Sequence, residues 1–440
     1  MIQPRPFSAR ACPSIEMLDV ALILLLAAII RIVWMAGVHA LWEFADLGEA
    51  THVALAIARH GSIADAFFAS QGPTAHLLPG NVLLAGAILW LFGIDTVAAN
   101  VALAVWGLIQ TLASFALLYW AMGRAGLDRA TRRLGLLLLA VSPAFLAQEA
   151  ADFRVWEGAL AVCLAAANLG WLFTLEQTYP VPTKALVVAA ALAALAFFVS
   201  PPVGLAINAC WALFTWRRLK FGQALHFAAL GAAALLLILT PWMVRNDLVL
   251  GRAIWLRSNF GLELALGNHP AALSGMPRKA VYDARVKAIH PYNSPIAAAR
   301  VREMGEITYA DRLGAEAWRW IAGHPGDFVE LTLRHYRQYY FPDFWQLRET
   351  IWRNWILPRA MMIWLVSLLG FASLAIGLFR RRTNDLYIAV YVLIAGLPYA
   401  LVQPVPRYSY LVYGLLTMLA ARLIVDAARY LTTGSIGIAR

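Results

Sequence analysis

Eleven apolar runs of roughly membrane-spanning length constrain this chain more than any other feature. They lie near 18–38, 77–93, 97–121, 134–150, 155–175, 185–200, 202–216, 224–244, 359–379, 385–403 and 408–426. Of 440 residues, 61% are hydrophobic and 14% charged, whereas a soluble domain is about half apolar and a quarter charged. The composition therefore reads as an α-helical polytopic membrane protein. A formal charge of +11 does not imply nucleic acid. The basic residues sit beside apolar runs, in "RRLGLLLL", "WRRLK" and "FRRRTN", which is how membrane proteins fix their orientation. Cys12, Cys163 and Cys210 are scattered and have no metal or disulfide spacing.

The arginines then decide the topology. Arg5 and Arg10 place the amino terminus in the cytoplasm. The first run is longer than a signal-peptide core and reads as an uncleaved anchor. If 77–93 spanned, the basic loops "GRAGLDRATRR" and "WRRLK" would both fall outside, against the charge rule. If 77–93 lies along the outer interface instead, all the basic loops return to the cytoplasm. About ten spanning helices remain. Residues 39–76 then face outward and open two interfacial helices, at about 47–60 and 77–92. Residues 245–358 fall on the same face as a small mixed outer domain. Its clear amphipathic helix, "DRLGAEAWRWIAGHPGDFVELTLRHYRQYYF", is interrupted at Pro325. The expected organisation is 1–244 as the main transmembrane module, 245–358 as the outer-face domain and 359–440 as carboxyl-terminal spanning helices. The apolar stretch 185–216, broken by "SPP", reads as two short helices.

Two acids stand out. Asp46 and Glu49, in "WEFADLGEATHVALAIARHGS", have capping-box spacing, with Asp46 as N-cap and Glu49 at N3. A carboxylate held at a helix start on the outer face is also oriented and ionised, as a general base must be. Glu157, in "ADFRVWEGALAVCL", stands at the outward end of a spanning run. It either serves a site or pairs with Arg154 three residues before it. Arg31, inside the first span, either snorkels outward or points inward at an anionic ligand. Arg245, Arg252 and Arg257 gather on the face that should be poor in cations, which points to an anionic partner there. Arg407, in "QPVPRYSYL", is either an interfacial anchor or a ligand contact. No phosphate-binding glycine loop, HExxH, CxxC pair or Ser-His-Asp order is present.

The layout resembles the GT-C superfamily of membrane glycosyltransferases, in particular bacterial members related to protein mannosyltransferases and aminoarabinose transferases. "FADLGEATHVALAIARHGSI" followed by "GPTAHLLPGNVLLAGAILWLFG" is similar to their first outer loop. "SPAFLAQEAADFRVWEGAL" is similar to the segment carrying their second acid. "LTPWMVRNDLVLGRAIWLRSNFGLELALGNHPAALSG" is similar to their PW-x-x-RN … S-N-x-G … GN run. The resemblance implies a GT-C-like fold in the bacterial inner membrane, with the active site on the periplasmic face. It also implies a polyprenyl-phosphate-linked sugar donor and a lipid, glycan or protein acceptor. Some relatives place a lysine near the carrier phosphate; this chain has none there, and His76 is the nearest candidate.

The expected reaction is inverting transfer. Asp46 would accept the acceptor's proton, and Arg257 or Arg407, with His76, would hold the departing phosphate. Glu49, Arg154 and Glu157 would orient sugar or acceptor. A divalent metal ion, held by Glu49 and Glu157, is optional to this chemistry. A transporter or flippase for lipid-linked glycans and a non-catalytic glycan-assembly subunit are the alternatives, and a ligase using outer-face Arg and His is a third.

Overall fold

A computed structural model describes residues 13–43, 46–349 and 355–433. Arg5, Arg10 and Cys12 lie outside the described residues, as does the tail beyond 433. Eighteen α-helices follow one another: α1 Pro13–Gly37, α2 Glu49–His60, α3 Pro79–Phe92, α4 Val97–Arg124, α5 Arg129–Val141, α6 Leu146–Ala150, α7 Gly158–Glu176, α8 Thr183–Val199 and α9 Pro201–Arg218. After them come α10 Phe221–Leu250, α11 Phe260–Gly267, α12 Arg278–Ile289, α13 Pro295–Met304, α14 Glu306–Gly323, α15 Pro325–Tyr340, α16 Ile356–Phe379, α17 Thr383–Ala400 and α18 Tyr410–Thr433.

Among the described residues six helices, α1, α4, α7, α10, α16 and α18, are long and apolar enough to cross a membrane, and the bent α5–α6 pair, if taken as one span, would make a seventh. The protein is a multi-pass membrane protein. All ten expected spans are helical, but three fall short as single apolar rods. At 17 residues, α8 is about 26 Å long. Two arginines end α9 and polar residues open α17. The 14 residues of α3 reach about 21 Å, less than the roughly 30 Å hydrocarbon core. It packs against α2 instead: a Cβ on Gly86 would stand 2.5 Å from Ile57 Cγ2. Its outer side, with Leu83, Leu84, Trp90 and Leu91, stays exposed.

The segment expected to be a mixed outer domain is helical. Among the described residues the chain forms no strand, and one isolated bridge joins Ala64 to Pro73. The reason is local. Ser294 caps α13 and Pro295 starts it; α14 and α15 carry strongly amphipathic, helical spacing, and Pro325 opens α15.

Hydrogen bonds gather the connections into two faces. On one, Glu16 meets Arg129 and Arg132, Arg429 meets Asp128, Arg217 meets Thr383, and Asn384 donates to the Ala125 carbonyl. The basic loops 124–133, 217–220 and 380–382 are collected there. On the other, Asn81 donates to the Phe153 and Trp156 carbonyls, Asn268 to Leu401 and Gln346 to Pro404.

The run 134–150, expected to be continuous, bends by 76° between α5 and the following turn. Pro143 cannot continue the ladder, so the last carbonyls of α5 lose their partners. Arg31 supplies them. It is 1% exposed and donates to Leu139 O at 3.0 Å and to Ala140 O, while Nη2 meets Glu149 Oε2 at 2.7 Å. It neither snorkels nor faces a ligand. Arg359 does the same one turn on, donating to Ala144 O at 2.6 Å. Replacing Arg31 by Ala strands the buried Glu149 and the open carbonyls, and is expected to cost about 3–5 kcal/mol. Thermal unfolding in detergent reads this as a lower midpoint. Adding Glu149→Leu to Arg31→Met recovers part of the loss, because the unpaired charge goes while the carbonyls remain open.

Candidate active site

The chain enters the site at Gly48. Asp46 does not cap α2: its Oδ1 accepts the Gly48 N–H at 2.9 Å, and the helix begins only at Glu49 with no side-chain cap. The expected capping box is therefore absent. Gly48 has φ +84° with open space around it, a conformation that other residues rarely adopt. This turn separates the two acids. Asp46 stays outside, its side chain 52% exposed, with Oδ2 accepting from the Tyr292 hydroxyl at 2.9 Å and lying 3.5 Å from His52 Nε2. Glu49 turns inward, with Oε1 3.4 Å from His290 Nε2.

One carboxylate fixes the opposite wall. Glu306, the first residue of α14, accepts from Gln71 Nε2 at 2.8 Å, Thr74 Oγ1 at 2.6 Å, the Ala75 N–H at 2.8 Å and Ser258 Oγ at 2.8 Å. The Ser258 N–H also donates to the Ala75 carbonyl at 3.0 Å. The residues next to these anchors are His76 and Arg257. Arg245 completes the lock by donating to Thr74 O and Ile63 O, at 2.7 and 2.5 Å. Of the three arginines expected to await an anion, Arg245 thus holds backbone and Arg252 pairs with Asp311. Arg257 alone reaches the cavity.

That cavity has a volume of about 560 Å³, and its wall includes Glu49, His76, Arg257 and Arg407. Asp46, Arg154 and Glu157 do not line it. Glu157 pairs with Arg257 from behind the wall. It does not pair with Arg154, which donates to the Ala150 and Ala40 carbonyls, both at 2.8 Å, and so ties the first outer loop to the 146–154 turn. Arg407 stacks over the Trp156 ring at 4.2 Å. Wall residues that did not stand out in the sequence include Glu43, Asp152, Glu263, His290 and Arg359. Glu263 lies in a stretch whose motif was visible, "SNFGLELALGN". His290 had no signal, because only the tertiary fold brings it to Glu49. Arg257 Nε, Arg407 Nε and His290 Nδ1 have no hydrogen-bond partner, which leaves donors for an oxygen-rich ligand. Among the described residues no three His, Cys, Asp or Glu side chains converge to hold a metal ion.

The two wall carboxylates are driven apart. Burial pushes Glu49 up, but His76, His290 and Arg407 outweigh it and hold the carboxyl below its ordinary 4.5. Burial raises Glu263, and the nearby Glu49 adds to the rise. Burial also brings the His76 imidazole down to about 4, so at neutral pH it is uncharged.

The fold and this cavity define the class: a multi-pass membrane protein with the GT-C fold. The likeness is carried by the archaeal oligosaccharyltransferase AglB from Archaeoglobus fulgidus. Its complex with an inhibitory peptide and a dolichol-phosphate matches with a TM-score of 0.56 at 15% identity, over 95% of this chain and 51% of that one. The same enzyme tethered to an acceptor peptide matches with a TM-score of 0.55 at 13% identity, over 96% and 50%. The chain spans about half the length of these oligosaccharyltransferases. No protein-family model and no curated protein matches it.

Two measurements check this geometry. Replacing Glu306 by Ala frees four donors from two segments and is expected to speed amide exchange by about tenfold or more at Ala75 and Ser258, at a cost of about 1–3 kcal/mol. Unchanged exchange would show that the lock is not needed. The second is pH dependence. A histidine whose folded pKa is depressed stabilises the fold fully above its unfolded value of 6.5, and that stability is lost as pH falls toward 4. The unfolding midpoint should therefore drop across that window, and His76→Gln should flatten the drop.

Proposed function

We propose that this protein is an inverting glycosyltransferase that moves a sugar from a polyprenyl-phosphate carrier to an acceptor at the outer membrane face. The observation that carries the reading is the cavity wall. Arg257, Arg359 and Arg407 line one space together with Glu49 and Glu263, two carboxylates of different basicity, in the GT-C fold, on the side away from the basic loops. A phosphate-linked carrier is a good leaving group, so the site needs cations rather than an acid beside it. Arg257 and Arg407 bind the carrier phosphate through charge-assisted hydrogen bonds that strengthen as the anomeric bond breaks. Glu157 keeps Arg257 in place from behind.

The role expected of Asp46 passes to Glu49 in this reading. Glu49 is the ionised carboxylate inside the cavity, while Asp46 is spent on Gly48 and Tyr292 at the rim. Glu49 takes the proton of the acceptor hydroxyl as that oxygen attacks the anomeric carbon from the face opposite the phosphate. Glu263, with its raised affinity for a proton, donates to a sugar hydroxyl. His76 is neutral and accepts or donates one hydrogen bond. Arg154 holds the loop rather than the substrate.

The test is transfer from a labelled polyprenyl-phosphate sugar pool by purified protein in lipid vesicles, with lipid, glycan and protein acceptors all supplied. Glu49→Gln should lower kcat by about 10²–10⁴, and Arg257→Ala or Arg407→Ala by about 10²–10³. Asp46→Asn should cost less than Glu49→Gln. The opposite order would return the base role to Asp46. Absence of transfer by the wild type across a broad donor set would favour a glycan transporter or an assembly subunit.

A further inference from the structure

A second cleft, of about 720 Å³, lies between α15, the short turn Phe344–Glu349 and the first half of α16. Among the described residues its wall carries Arg278, Arg334 and Arg337 against one acid, Asp343. Asp343 is shared, by Arg278 at 2.7 Å and Arg337 at 2.5 Å, while Arg334 meets Glu330 at 2.6 Å. Even with Glu330 counted, positive charge is left over. The remaining wall is apolar: Leu333 is 65% exposed and Phe344 43% exposed, with the Phe344 and Trp364 rings 5.3 Å apart. Trp345, which also lines the cleft, has an indole N–H without a partner.

Depth decides what fits. Trp364 comes eight residues after the start of α16 at Ile356, about 12 Å along a membrane-spanning helix. The apolar floor therefore reaches toward the hydrocarbon, while the arginines stand at headgroup level. A soluble anion would satisfy the arginines and leave this floor bare. An apolar chain alone would leave the guanidinium groups unmatched. A lipid with a phosphate headgroup covers both.

We propose that this cleft binds an anionic phospholipid of the surrounding bilayer. Arg278, Arg334 and Arg337 hold its phosphate, and an acyl chain lies over Leu333, Phe344 and Trp364. The site is separate from the central cavity, none of whose wall residues lines it, and it does not depend on the transfer reading.

The test is native mass spectrometry of the full chain in detergent, with phosphatidylglycerol competing against phosphatidylcholine. The wild type should retain the anionic lipid in preference. Arg278→Gln, Arg334→Gln and Arg337→Gln together should lower that retention about tenfold or more, at roughly fivefold per arginine for exposed cations near a membrane. Leu333→Asp, at an exposed position where folding is not at stake, should weaken it as well. The control Arg252→Gln with Arg312→Gln changes cations on the same face outside the cleft and should leave it unchanged. Equal retention by the triple variant, an equal loss in the control, or displacement by soluble glycerol phosphate at matched concentration would each overturn the proposal.

Discussion

The buried Glu306 carboxylate is the contact on which the outer half of the molecule depends. A carboxylate at a helix start is favoured by the helix amides, and this one has its remaining capacity filled by four donors drawn from residues 71–75 and 258. Those residues belong to segments far apart in sequence, the first outer loop and the chain leaving α10. Neither has regular structure of its own at that point. This common acceptor, with the Ser258-to-Ala75 backbone hydrogen bond, sets the distance between His76 and Arg257, which face the same cavity. The lock is polar and sits beside a site lined by charges. A hydrophobic clamp would not reach backbone N–H groups that must be satisfied somewhere.

A second constraint runs through the membrane layer. Helix breaks inside lipid are tolerated only if the freed carbonyls find donors. At the 76° bend after α5, Arg31 and Arg359 provide them. The same bend carries the chain sideways at the membrane surface, so that Ala147, Gln148 and Asp152 line the cavity floor. Two cations that look functional by position thus act on backbone, and the site is formed by the backbone they support. Arg31 and Arg359, which close the carbonyls at this bend, thus differ from Arg257 and Arg407, which line the cavity with Nε atoms that have no hydrogen-bond partner.

How far this could be read in the sequence follows from the range of the forces involved. Apolar run length and the charge asymmetry of loops are local quantities, and they were sufficient for the helical architecture. They also gave the interfacial placement of α3, the break at Pro325 and the pairing of α8 with α9. The outer segment read as mixed because only α14 and α15 carry strong amphipathic spacing, while α11 to α13 are short and carry little. Of the residues that line the cavity, Glu49, Arg257 and Arg407 stood out in the sequence by chemistry and topology, and His76 through the family resemblance. Glu157 was legible as an acid in an apolar setting but not as the partner of Arg257, a hundred residues away. His290 could not be seen, since its only distinction is the 3.4 Å approach to Glu49. The Asp46 cap failed for a one-residue reason: Gly48 at positive φ moves the helix start past the box.

That same glycine bears on why one acid and not the other faces the cavity. Residues three apart on a continuous helix share a face, so an N-cap at Asp46 would have pointed both carboxylates in one direction. Their mutual repulsion would then have raised one of the two pKa values. The turn at Gly48 breaks the helical relation. It leaves Asp46 in water, bonded to Tyr292 and the Gly48 amide, and leaves Glu49 facing the cavity among basic groups. Glu263 then supplies the second carboxylate from a different element, in a setting that favours its proton. Two acids with opposite tendencies therefore come from separate segments, and each can be tuned by its own surroundings. An adjacent pair on one turn would have been coupled too tightly for that.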